Sequence, residues 1–406
     1  MTEDSRFVIV GGGLAAAKLA EQLRAQEYTG ALTLISAESH PPYERPPLSK
    51  DHLLGKKALV DFTVHPPEWY REHEVDLRLD TTATAVDRAT KTVALHDGST
   101  VPYDRLALAT GSRPRRLPIP GTDAAGVYEL RTIEQSDALL TLFGAAHRLV
   151  VIGGGWIGLE VTAAAREAGL EVTVLEAEDV PLQAALGRQI GAVFADLHGD
   201  HGVDLRCGAR VAEIVTTDGR ATGVRLTDDT VIEADAVLLA VGARPNVELA
   251  VDADLPTGEG VLVDESLATS DPSIVAVGDI ADQQHPLLGR RIRVEHWANA
   301  LNQPEVAATT MLGRPAVYDR LPYFFTDQYD LGMEYTGYVA PGQDASIVIR
   351  GDAAGRRFVA FWLDSGNRVL AGMNVNVWDV TDRIKELIVT GRPADPQRLA
   401  DPDIEL

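Results

Sequence analysis

Two copies of one glycine-turn pattern constrain this chain more than anything else in it. The first is the run Phe7-Val-Ile-Val-Gly11-Gly12-Gly13-Leu14-Ala15-Ala16, and the second is Leu149-Val-Val-Ile-Gly153-Gly154-Gly155-Trp156-Ile157-Gly158. Each passes from an apolar strand through a glycine turn into a small-residue helix, and each continues to a second apolar strand, 31–35 or 171–175, with an acid at its end, Glu38 or Glu176. The first glycine turns the chain sharply, the second lets backbone N–H groups approach a pyrophosphate, and the third lets helix pack on strand. In the first copy Ala16 takes the third place, a departure the pattern allows. The anion's charge then rests on a helix N-terminus. One such match is read as an ordinary turn as readily as a ligand site, but two complete copies in strand–turn–helix context imply two nucleotides held by one protein.

A chain of 406 residues is too long for one compact core, so two or three domains are expected. No run approaches the ~20 apolar residues of a membrane span, and the apolar stretch at 7–14 is broken by glycines and lacks a basic leader. The expectation is a cytoplasmic protein. The net charge of −23 argues against nucleic acid or an anionic membrane bound through a broad basic face. Cys207 is the single cysteine, which removes any intrachain disulfide and any paired-cysteine redox centre, and the thiol itself is read as buried.

After the first nucleotide unit comes Pro41-Pro42-Tyr43-Glu44-Arg45-Pro46-Pro47-Leu48-Ser49-Lys50, whose prolines are expected to prevent helix and fix a stiff, irregular loop suited to ligand contact. Strands follow at 76–79, 92–96 and 105–110, the last entering the turn Thr110-Gly111. Such a turn brings backbone close to a nucleotide in some proteins and holds no ligand in others. The second nucleotide unit is followed by a helix at 188–198, alternating strands, and Val241-Gly242-Ala243-Arg244-Pro245, which mirrors Thr110-Gly111-Ser112-Arg113-Pro114. The chain thus repeats a whole domain plan, with one copy inserted in the other if 274–279 returns to the first. From 322 onward, strands at 345–349 and 358–363 and a helix at 377–390 indicate an α+β domain. The fold class expected is α/β: two Rossmann-like dinucleotide-binding domains, 1–112 with 247–321 for FAD and 113–246 for NAD, and a C-terminal α+β domain at 322–406.

With these motifs placed, the sequence resembles the FAD-dependent, NADH-using ferredoxin reductases of the putidaredoxin-reductase-like group, which share the glutathione reductase fold. The resemblance covers essentially the whole chain. It rests on the two fingerprints, Arg45-Pro46-Pro47-Leu48-Ser49-Lys50, Ala109-Thr110-Gly111, Ala276-Val277-Gly278-Asp279, Val294-Glu295-His296-Trp297-Ala298-Asn299-Ala300 and Pro322-Tyr323-Phe324-Phe325-Thr326-Asp327-Gln328. It implies that Gly11, Gly13, Leu14, Ala15 and Glu38 hold the FAD pyrophosphate and ribose, with Ser36 or Ser39 as alternatives to Glu38. Asp279, beside Gly278, would bind ribityl or phosphate oxygens. Arg45, Thr110, Gly111, Arg131, Glu295 and His296 are further cofactor contacts by the same match. Pro46 and Trp297 would flank the flavin ring, and Lys50, paired with Glu160, would lie beside it as the catalytic pair. Gly153, Gly155, Trp156, Ile157, Gly158, Glu176 and Gly242 would receive NADH.

Physical reasoning bears on several of these roles. Glu176 follows the second glycine turn at close to the ~20-residue offset of the acid that binds a ribose 2′-hydroxyl. A carboxylate there repels a 2′-phosphate, and Ala177, Glu178 and Asp179 offer no arginine to receive one, so NADH is expected over NADPH. A lysine near the flavin would stabilise negative charge on its reduced form, although a Lys and a Glu this far apart in sequence are more often two surface charges. Trp297 reads equally as packed core or as a flavin neighbour. His296 is assigned no acid–base role, because hydride transfer to a flavin needs no general base.

No cysteine occupies 44–47, where related flavin disulfide reductases keep theirs, so electrons are expected to leave one at a time to a docked [2Fe–2S] ferredoxin serving a cytochrome P450 or ring-hydroxylating oxygenase. An acidic ferredoxin requires a local basic patch: Arg290, Arg291 and Arg293 first, then Lys56 and Lys57, each of which also reads as a solvated charge run. Two other readings stay open. One is a diaphorase reducing quinone or oxygen; the other is an NADH-sensing interaction protein similar to apoptosis-inducing factor.

Overall fold

Five short apolar strands organise the first unit. In the computed structural model, which describes residues 5–406, they lie side by side in the order Ile274–Ala276, Arg105–Leu108, Arg6–Val10, Ala31–Ile35 and Val75–Arg78, all parallel. Strands covered on both faces carry no polar alternation, and Phe7, Val8, Ile9 and Val10 are accordingly all buried. The chain builds outward from Arg6–Val10 on one side and later returns on the other. Open sheets of this kind bind ligands at such a switch point, outside the carboxyl ends of the strands. Helix Leu14–Ala25 packs through Ala15, Ala16, Ala17, Leu19, Ala20 and Leu23. It lies against helix Trp297–Met311 of the same unit, where Thr309 Oγ1 donates to Gln26 Oε1 at 3.0 Å.

The second unit repeats the plan. Its parallel sheet runs Asp204–Arg206, Glu171–Leu175, Arg148–Ile152, Ala236–Leu239 and Val127–Tyr128. Each parallel sheet has a three-stranded antiparallel companion, Ala83–Asp87 with Thr92–Leu95 and Thr100–Pro102 in the first unit, Val211–Thr217 with Arg220–Leu226 and Val231–Glu233 in the second.

By packing, the first unit comprises the described residues up to Glu44, Leu59–Arg113 and Arg244–Tyr323, and the second comprises Arg45–Ala58, Pro114–Ala243 and Phe324–Leu406. The second therefore contains a further five-stranded sheet, in the order Tyr323–Gln328, Leu331–Gly337, Val369–Val375, Arg357–Leu363 and Ser346–Asp352. One face of this sheet shares a core with helix Arg188–Asp200, in which Phe194 and Leu197 meet Met333, Tyr335 and Trp362. Its other face is covered by helix Thr381–Thr390, through Ile384.

Two local expectations change. The proline segment is not wholly irregular: Pro46–Ser49 forms a 3-10 turn, because Pro46 and Pro47 occupy its first positions, where an amide hydrogen has no intrahelical acceptor. The last long helix begins at Thr381 rather than 377, since Asn376 and Asp379 adopt left-handed backbone conformations and turn the chain first.

Candidate active site

Both glycine turns end in helices with bare N-termini. Gly13 caps Leu14–Ala25 and Gly155 caps Trp156–Glu167; neither receives a side-chain cap and neither helix has an acid in its first turn. Unsatisfied first-turn N–H groups without a competing carboxylate form an anion site. Sterics explain the glycines. Gly11, at φ +139°, lies so near the next strand that a Cβ would sit 2.0 Å from the Ala109 carbonyl oxygen, and at Gly153, φ +108°, the corresponding distance to the Ala240 oxygen is 2.4 Å. Gly158 packs against its own turn, where a Cβ would lie 2.2 Å from the Gly153 oxygen. Gly13 is different: a Cβ there meets nothing within 4 Å. That open space is what a pyrophosphate lying on the turn requires.

In the first unit the other assigned residues gather at the carboxyl ends of neighbouring strands. Leu14 and Ala15 begin the helix. Thr110 and Gly111 follow Arg105–Leu108; the Thr110 hydroxyl donates to the Asn246 carbonyl at 2.6 Å, and Asn246 Nδ2 donates back to the Thr110 carbonyl at 2.8 Å. Gly278 and Asp279 follow Ile274–Ala276 in a 3-10 turn, where Ser112 Oγ donates to Asp279 Oδ2 at 2.8 Å and the Gly278 N–H donates to Gln303 Oε1 at 2.7 Å. A Cβ on Gly278 would lie 3.2 Å from that of Ala15, so this turn sits on the helix start. Glu38 accepts from the Tyr43 hydroxyl at 2.5 Å, while Ser36 is fully buried beneath Gly12 and uses its hydroxyl within the turn.

Helix Trp297–Met311 starts in the same unit, capped by His296. The Trp297 indole N–H donates to Glu44 Oε2 at 3.2 Å. Burial pushes the His296 imidazole down to about 4, against the opposing pull of the Asp279 carboxylate, so the ring is neutral near pH 7. Glu295 pairs with Arg293.

The second unit holds the remaining residues. Glu176 accepts from the Gly154 N–H at 2.7 Å and from the Glu178 N–H at 2.9 Å, which fixes the carboxylate at the rim of the second glycine turn. Trp156 stands edge-on to Phe194 and Phe324, Ile157 is 41% exposed beside it, and Gly242, at φ +95°, ends the strand Ala236–Leu239 region with open space on its Cβ side. Arg45 donates to the Arg131 carbonyl, and Pro46 opens the 3-10 turn.

Lys50 and Glu160, so distant in sequence, meet here: Lys50 Nζ is 2.9 Å from Glu160 Oε1. Thr326 donates to that same oxygen at 2.6 Å and Ser49 donates to Oε2 at 2.5 Å. The Lys50 ammonium also stands 5.0 Å from the centre of the Phe325 ring. Asp327 lies nearby, its carboxyl raised by burial against the lowering effect of Lys50. Ser49 and Thr326 lie within the sequence motifs, but nothing in the sequence marks them as the donors that complete the Glu160 carboxylate.

Two expectations need amending. Cys207 is exposed, not buried, because it follows the short edge strand Asp204–Arg206. Partial covering of its sulfur and the charges of Glu176 and Asp179 raise its thiol, which keeps it protonated and unreactive. In the basic cluster, Arg291 donates to the Val263 and Asp282 carbonyls and Arg293 to the Asp279 carbonyl and Glu295. These two guanidinium groups therefore serve the fold as well as the surface.

The pyridine nucleotide-disulphide oxidoreductase family matches residues 5–303, and the reductase C-terminal family matches 323–406. The chain belongs to the pyridine nucleotide-disulphide oxidoreductase family. Among its relatives, the ferredoxin–NAD(+) reductase component of the anthranilate 1,2-dioxygenase system of Burkholderia cepacia is 40% identical over 98% of both chains. Putidaredoxin reductase of Pseudomonas putida is 37% identical over 100% of this chain and 97% of its own. In the crystal structure of a covalent putidaredoxin reductase–putidaredoxin complex, a matching chain superposes with a TM-score of 0.94 at 36% identity, covering 98% of this chain and 96% of that one. This chain's bare helix N-termini and open Gly13 fit the two nucleotides. Among the described residues no helix is long and apolar enough to cross a membrane.

Proposed function

We propose that this chain is a cytoplasmic flavoprotein that passes electrons from NADH through FAD, one at a time, to a [2Fe–2S] ferredoxin serving a cytochrome P450 or a ring-hydroxylating oxygenase. The observation that carries the reading is the pair of uncapped glycine helix N-termini, one in each unit. The relatives' shared role as ferredoxin reductases supports the choice of acceptor. The assignment of 1–112 with 247–321 to FAD, 113–246 to NAD and 322–406 to a third domain belongs to the same proposal.

Bound FAD supplies the conversion between a two-electron donor and one-electron acceptors. The protein's residues do the rest. Gly11, Gly13, Leu14 and Ala15 would present backbone to the FAD pyrophosphate, and Asp279, which accepts from Ser112, would accept from ribityl hydroxyls. Glu176 would select NADH: its carboxylate, fixed at the rim of the second glycine turn, repels a 2′-phosphate. Glu160, held by Ser49 and Thr326, aims the Lys50 ammonium, which would stabilise negative charge on reduced FAD. His296, neutral near pH 7, takes no acid–base part. With only Cys207 present, and that thiol protonated, no dithiol intercepts the electrons.

Docking is assigned to Arg290, Arg291 and Arg293, with Lys56 and Lys57 as a second patch. Arg293 pairs with Glu295, Lys56 with Glu167 and Lys57 with Asp51, so part of the charge of both patches is met within the protein. The test is steady-state cytochrome c reduction by FAD-loaded protein and NADH, with and without a panel of [2Fe–2S] ferredoxins. Turnover is expected to require a ferredoxin and to lose about tenfold in kcat/KM for it when Arg290 and Arg291 are neutralised together, an effect that shrinks at high salt. Rapid reduction of quinone or oxygen with no ferredoxin effect identifies a diaphorase instead.

A further inference from the structure

A buried file of side chains runs from His198 to the carboxylate that holds Lys50. His198, Thr326 and Gln328 are each no more than 1% exposed. His198 Nε2 lies 2.9 Å from Gln328 Oε1, Gln328 Nε2 donates to Thr326 Oγ1 at 3.3 Å, and Thr326 donates to Glu160 Oε1 at 2.6 Å. At the far end the Tyr329 hydroxyl is 3.5 Å from His198 Nδ1, and the Tyr329 ring stacks on His201 at 3.6 Å.

The directions of these bonds are mutually determined. Burial pushes the His198 imidazole down to about 4, so near neutral pH the ring carries one N–H. The Tyr329 hydroxyl can donate to Nδ1 or accept from it, so the Glu160 end sets the order: the ring hydrogen sits on Nε2 and is given to Gln328 Oε1. The amide must then turn its NH2 toward Thr326. Thr326 accepts from it and has a single hydrogen left, which goes to Glu160. Reversed, the amide oxygen would take the Thr326 hydrogen and strip the Glu160 carboxylate of a donor. A carboxamide neither releases nor takes up a proton near neutral pH, so the file orients groups and does not conduct protons.

We propose that Gln328, keyed by His198, is a positioning residue for the Lys50–Glu160 pair, acting through the Thr326 hydroxyl. The network is independent of any cofactor; only its consequence for flavin reduction rests on the function proposed above. Two readouts therefore separate the two ideas. The first is the rate at which acetic anhydride acylates Lys50 at fixed pH, followed by mass spectrometry in FAD-free protein. The second is anaerobic stopped-flow reduction of the FAD-loaded protein by NADH.

In Gln328→Leu and Thr326→Val, Lys50 acylation is expected to rise severalfold. The reduction rate constant should fall about tenfold in Thr326→Val, the effect of losing one bond to a charged group, and in the same direction but less in Gln328→Leu, with the NADH dissociation constant unchanged. Thr326→Ser, which keeps the hydroxyl, should restore both. Thr326→Val keeps the side-chain shape and serves if Gln328→Leu does not fold. Wild-type acylation and wild-type reduction in a folded Gln328→Leu protein, or in a folded Thr326→Val protein, overturn the proposal. If instead acylation changes as expected but NADH never reduces the protein, the positioning role stands and the functional reading fails.

Discussion

At the scale of single residues, the molecule uses burial to fix protonation states, and His198 shows this most directly. Its folded pKa, about 4, lies below the ordinary value of 6.5. Between those values the unfolded chain binds a proton that the folded chain does not. Stability from this group is therefore complete above about pH 6.5 and is lost as the pH falls toward 4, by up to about 3 kcal/mol. Urea unfolding across that range should show a shallower pH slope in His198→Gln than in the parent; equal slopes would mean His198 is not held neutral by the fold. Little of this was legible in the sequence, where His198 is one histidine on an amphipathic helix. The Lys50–Glu160 pair was legible only through family resemblance, because nothing local records that residues 110 positions apart will meet. Cys207 was misread because a lone cysteine is usually a buried apolar residue, whereas here a short edge strand carries it to the surface.

At the scale of elements, the strand–turn–helix units were readable because three independent requirements coincide within ten residues: an apolar strand, a turn only glycine tolerates, and a helix small enough to lie on the sheet. The same units allow ligand contact to be separated from packing. Gly11→Ala places a methyl 2.0 Å from the Ala109 oxygen at a left-handed φ and should damage the fold itself. Gly13→Ala adds a methyl to open space and should fold with an unchanged melting temperature as apoprotein, yet retain little FAD, read from the flavin absorbance of the purified protein. Full flavin occupancy in folded Gly13→Ala would remove that turn from the binding site. What the sequence could not specify were features set by tertiary neighbours. The contact that holds the proline segment's 3-10 turn is one, Ser136 Oγ donating to the Leu48 carbonyl at 2.7 Å. The late start of the last helix is another, decided by two residues with left-handed backbone just ahead of it.

At the scale of the whole molecule, repetition of a domain plan was visible from the start: two matching fingerprints, each followed by further strands of a parallel sheet and an antiparallel meander. The return of Ile274–Ala276 to the first sheet completes the inserted arrangement. Less visible was the way the C-terminal sheet shares a core with helix Arg188–Asp200 and delivers Thr326 to Glu160. The C-terminal sheet is thereby part of the machinery that positions Lys50, besides being a separate family match. The central claim is that electrons enter as a pair and leave singly, and stoichiometry tests it most directly. Under anaerobic conditions, limiting NADH is added to catalytic FAD-loaded protein with excess [2Fe–2S] ferredoxin, and reduced cluster is counted by its visible absorbance. The account predicts two reduced clusters for each NADH consumed and none without the protein. NADH consumed with no cluster reduced, while quinone or oxygen is reduced when supplied, would contradict it.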